Sequence, residues 1–118
     1  KTKKIFTHRN QNVFEKVIFD EFKKILILTK NLAITNNSEL FFVYLPEFSR
    51  YDKYYNDANY LLIKDIVNKL DIPFIDINKE VFEKKKNPLE LFPFELSGHY
   101  NVKGYKEIAE TIYKLTQN

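Results

Sequence analysis

This 118-residue sequence has two histidines, His8 and His99, the residue type used most often for general acid and base catalysis. His8 lies in a polar stretch, Lys1 to Asn10, and reads as a surface histidine. His99 stands in Phe94-Glu95-Leu96-Ser97-Gly98-His99-Tyr100-Asn101, between an apolar loop and the capped start of a helix. An imidazole at such a junction is placed for general acid or base work, and the same junction also suits a structural histidine. Gly98 permits a sharp turn beside it. The sequence has no cysteine, which removes thiolate catalysis, disulfides and cysteine-based zinc sites together. Asp65, Asp71, Asp76, Glu80 and Glu95 follow no metal-ligand spacing and no H-x-x-x-H occurs, so no metal is expected. Gly98 and Gly104 are the only glycines, too few for a phosphate-cradling loop, and no cofactor is expected. Asp76 either turns the chain into Asn78 or faces a ligand at a strand end, the former being favoured. Tyr44, Tyr51, Tyr54, Tyr55 and Tyr60 suit a substrate loop, a carbohydrate surface or plain loop packing, and receive no role.

The elements that must carry these residues follow from periodicity. Lys1 to Asn10 lacks a period and reads as an arm or linker. Asn12 with Glu15 fits a capping box, and Phe14, Val17, Ile18, Phe22, Ile25, Leu28 and Leu32 then recur at helical spacing until Asn36 and Asn37. Leu40 to Leu45 is a continuous apolar run, the pattern of a strand buried on both faces, and Pro46 closes it. After a tyrosine-rich loop, Asn56 or Asp57 caps a second helix with Leu62, Ile63, Ile66, Val67 and Leu70 inward. Ile72 to Ile77 is a second strand, and Asn78 is placed to cap a short helix through Phe82. Glu83 to Leu96 is irregular yet apolar, so it must lie on something. Asn101 caps a last helix marked by Tyr105, Ile108, Ala109, Ile112 and Leu115.

Strands alternating with helices predict an α/β fold with parallel strands and right-handed crossovers. Two strands buried on both faces need neighbours that the sequence does not contain, so residues 11–118 read as part of a larger domain. The alternative is a small self-standing domain that completes its sheet as a homo-oligomer or with Lys1 to Phe6 as an edge strand. A hydrophobic content of 44% and an aromatic content of 16% are ample for one core. The net charge of +3 comes from lysines spread among carboxylates, which argues against a nucleic-acid partner. No apolar run approaches the ~20 residues of a membrane span. Compartment is left open.

The order of these elements, with Gly98-His99-Tyr100-Asn101-x-x-Gly104-Tyr105 leading into Ile108-Ala109, resembles the C-terminal half of the SGNH (GDSL-type) hydrolases. The resemblance covers nearly all of the chain after residue 10 and implies a partial flavodoxin-like three-layer fold. It implies further that His99 is the catalytic histidine of a Ser-His ester hydrolase or acyl transferase, acting on a small-molecule, carbohydrate or lipid ester. Two departures stand out. The family carries an orienting Asp three residues before its histidine, where this sequence has Leu96, with Glu95 or a backbone carbonyl as substitutes. The G-D-S and G-x-N-D blocks, which the family places upstream, do not occur, so the serine and the oxyanion donors would come from a missing N-terminal half. The competing expectation is a noncatalytic binding or structural domain on the same scaffold. A receiver-like or nucleotide-binding domain lacks the clustered acids or glycines it would need.

Overall fold

A computed structural model of the protein describes the backbone of residues 2–117 and the side chains of residues 15–117. Helix α1 spans Thr2–Thr35, strand β1 Phe42–Tyr44, helix α2 Ala58–Lys69 and strand β2 Phe74–Asp76. A four-residue helix α3, Ile77–Glu80, follows, and helix α4 runs Val102–Thr116. Between α3 and α4 the chain winds through 3-10 turns at Phe82–Lys84, Pro88–Leu91 and Pro93–Glu95.

β1 and β2 pair in parallel, with Phe42 opposite Phe74, Val43 opposite Ile75 and Tyr44 opposite Asp76. Side chains on a strand alternate between faces, and here the alternation sorts the core into two clusters. Phe42 and Phe74 join Phe22, Leu26, Val67 and Ile72 under α1 and α2. Val43 and Ile75 join Ile77, Phe82, Leu91, Phe92 and Ile108 under α4 and the irregular segment. The protein is therefore α/β, with helices on both faces of a parallel pair.

Several expectations are corrected. Residues 2–10 continue α1 instead of forming an arm, because no Pro or Gly between residues 2 and 35 interrupts the helix. The backbone of residues 2–6 is helical and adds no edge strand. The Asn12 cap and Phe14 fall among the side chains outside the described residues. The inward stripe of α1 is Phe19, Phe22, Leu26, Lys30 and Ala33, while Val17, Ile18, Ile25, Leu28 and Leu32 are exposed. A two-stranded sheet is too narrow to cover more than one stripe of such a helix. β1 has one partner only, so its residues are half-buried where full burial on both faces was expected. On α4 the inward residues are Gly104, Ile108 and Ile112, and Tyr105, Ala109 and Leu115 are exposed. On α2, Leu62 is exposed and Tyr60 takes a buried place.

The helix ends match in kind. Asn37 takes the left-handed conformation (φ 54°) that stops α1. The Asn56 side chain accepts from the Ala58 N–H at 2.9 Å ahead of α2. α3 is capped by Asp76, whose carboxylate accepts from the Lys79 N–H at 3.4 Å, and not by Asn78.

Candidate functional site

Asn101 builds the start of α4. Its side chain accepts from the Gly104 N–H at 2.9 Å, an N-cap bond worth about 1 kcal/mol. Its Nδ2 donates to the Glu90 carbonyl at 2.8 Å, and its own N–H donates to the Leu91 carbonyl at 2.9 Å. A Cβ on Gly104 would come within 2.7 Å of the Leu91 carbonyl oxygen, so glycine is what lets α4 dock on the Pro88–Leu91 turn. Lys103 pairs with Glu90 at 3.0 Å and Lys85 with Glu107 at 2.6 Å across the same contact.

Tyr100 fixes the residue beside His99. Its ring packs on Phe82 and Phe92 with centroids 5.4 and 5.3 Å away. Its hydroxyl donates to the carbonyl of Pro46, the residue that closes the β1 segment. This bond places the 98–100 loop at the C-terminal end of β1, the edge where open α/β sheets gather their sites. His99 is exposed there, immediately before the capped helix.

The loop leading to His99 is unusual. Phe94 (φ 53°) and Glu95 (φ 56°) are both left-handed, a costly conformation for residues with a Cβ. These two residues turn the chain sharply, and Gly98 too has a positive φ, 159°, that side chains with a Cβ rarely adopt, as the sequence suggests. The loop turns its apolar side chains outward, with Phe94 94% and Leu96 63% exposed. Glu95 accepts from Asn87 Nδ2 at 2.9 Å, so the structure does not bring it to His99. Among the described residues no side chain bonds to the imidazole. The serines are elsewhere engaged or distant in role: Ser38 donates to the Asn36 carbonyl, Ser49 donates to Glu47, and Ser97 is exposed in the loop itself.

Asp76 is one of two buried polar residues among those described, the other being Asn78. The Tyr60 hydroxyl donates to Asp76 at 2.5 Å, and Asn78 accepts from Tyr51 at 2.9 Å while donating to Glu83 at 2.6 Å. Asp76 therefore serves the turn into α3, as the sequence favours. Tyr44, Tyr55 and Tyr60 gather at the same sheet edge around Arg50, a residue that nothing along the sequence singles out beyond its being one of two arginines. Burial holds the hydroxyls of Tyr51, Tyr60 and Tyr100 above the usual tyrosine range, Tyr60 also through its bond to Asp76, and Tyr44 is pushed up to about 12.

His8 lies outside the described side chains. Among the described residues no group of three or more His, Asp or Glu side chains is arranged to hold a metal ion, and no helix is long and apolar enough to cross a membrane. No protein-family model, no curated protein and no solved structure matches the chain.

Proposed function

We propose that the chain is the histidine-bearing part of an SGNH-type ester hydrolase or acyl transferase, in which His99 takes the proton from a serine and returns it to the leaving group. The observation that carries this is the Tyr100 to Pro46 hydrogen bond, which sets His99 at the C-terminal edge of parallel strands just ahead of a capped helix. The finer fold assignment, a partial flavodoxin-like three-layer sandwich, rests on helices flanking both faces of the strand pair. The open edge of β1 and the uncovered stripe of α1 leave room for the further strands such a domain needs. The substrate would be a small-molecule, carbohydrate or lipid ester, and the exposed Phe94 and Leu96 offer apolar contact for its acyl group.

A specific observation favours a second reading, a noncatalytic binding domain on the same scaffold. Leu96 stands where the orienting acid belongs, and Glu95 is held by Asn87.

The two are separated by assay of aryl acetate hydrolysis in the longest form of the protein that its gene encodes, where the first reading expects turnover and the second none. The 118-residue chain alone should be inert on either reading, because no serine lies in an oxyanion-bearing turn beside His99. Turnover blocked by a serine-directed phosphonate would instead make Ser38, Ser49 or Ser97 the nucleophile. In a form that does hydrolyse esters, Leu96→Asp should hold or raise kcat by supplying the acid. A loss of activity with the fold intact would remove the family geometry from consideration.

A further inference from the structure

Arg50 follows β1 in the Phe48–Tyr51 turn, and its guanidinium is caged by tyrosines from β1, the loop after it and α2. The cation lies 4.5 Å from the ring centroid of Tyr60, 5.2 Å from that of Tyr55 and 5.5 Å from that of Tyr44. Nη1 donates to the Tyr55 hydroxyl at 3.0 Å and to the Tyr44 hydroxyl at 3.2 Å. A guanidinium has five N–H donors, and those on Nε and Nη2 have no partner among the described residues. No carboxylate of the described residues pairs with Arg50 within 4.0 Å either. The cation is half-buried among neutral phenols, and because no fully buried polar side-chain atom of the described residues lacks a partner, its free donors reach solvent and are open to a ligand.

The cage opens on a groove of about 500 Å³. Arg50, Tyr51, Tyr55, Asp57, Asn78 and Glu83 line it. The Nε–Nη2 edge is the side of an arginine that matches two oxygens of a carboxylate or phosphate at once. The carboxylates of Asp57 and Glu83 in the same lining accept hydrogen bonds and disfavour a second negative group.

We propose that this groove is a binding site for a small hydroxylated anion, with its carboxylate or phosphate on the free edge of Arg50 and its hydroxyls toward Asp57 and Glu83. Binding is read without any chemistry at His99, so the inference stands apart from ester hydrolysis.

Glycerate, glycerol 3-phosphate and glycerol share a three-carbon hydroxylated frame and differ in the group offered to Arg50. Titrated into the 118-residue chain and followed by NMR, one or both anions should bind and glycerol should not, the tighter anion naming the group. The Arg50 Nε–H resonance should shift in the wild-type protein, a readout that no variant's folding can obscure. Arg50→Gln should weaken the anion roughly tenfold or more, and Arg50→Lys, which keeps the charge and loses the edge, should also weaken it. Failure of both anions to bind, equal binding of glycerol, or an Arg50→Gln variant that is folded and binds as well as wild type would overturn the site.

Discussion

Asp76 and Tyr60 show how a single side chain decides between structure and chemistry at this edge. An aspartate at the end of a parallel strand is placed to meet a ligand, yet the Tyr60 hydroxyl at 2.5 Å and the α3 cap already occupy its oxygens. Tyr60→Phe removes the hydroxyl and leaves the carboxylate of the buried Asp76 without that partner, which should cost about 1–3 kcal/mol in a urea unfolding series. A cost near zero would mean that water replaces the hydroxyl. His99 was legible as a candidate because it is the one histidine beside a predicted helix cap, and the cap at Asn101 is present. Arg50 was not legible: its significance comes from Tyr44, Tyr55 and Tyr60, which approach it from a strand, a loop and a helix. No spacing along the chain encodes that meeting.

The elements themselves were read well in kind and less well in facing. Both strands, α2 and α4 followed from apolar runs, and of the irregular segment Leu91 and Phe92 are fully buried while Phe94 and Leu96 are exposed. The facing of α1 was misread because it has apolar residues on more than one side, and only tertiary context chooses between stripes. The same holds for α4, where Ala109 looks inward by period but is exposed, and Gly104 makes the close contact. That contact is testable. Gly104→Ala pushes a methyl to 2.7 Å from a backbone oxygen that cannot swing away, and should destabilise by about 1–3 kcal/mol despite the better helix propensity of alanine. Stabilisation, read as a higher urea midpoint, would show that α4 can shift outward freely.

Taken whole, the molecule is a plate, 52 × 44 × 18 Å, with a radius of gyration of 17.4 Å. A compact globule of this length would have roughly 13–14 Å. Four tyrosines of the protein are held neutral by their surroundings. Tyr44, Tyr51, Tyr60 and Tyr100 all have hydroxyls raised above the ordinary value of 10.0, chiefly by burial. The unfolded chain therefore releases these protons at lower pH than the folded one. Their contribution is complete below pH 10 and is lost as pH climbs from there through 12 and beyond. Unfolding midpoints should be flat from pH 8 to near pH 10 on this account and fall above it, with tyrosinate absorbance appearing as the fold is lost. Midpoints unchanged well above pH 10 would show the tyrosines to be no more protected than in the unfolded chain. The role of His99 is tested most directly by ester hydrolysis in the longest form of the protein that its gene encodes, wild type against His99→Ala. Because His99 is exposed, the substitution should leave the fold intact. The expected result is phosphonate-sensitive hydrolysis whose kcat falls by several orders of magnitude in the variant. Full activity in His99→Ala, or no hydrolysis by the wild type, would contradict it.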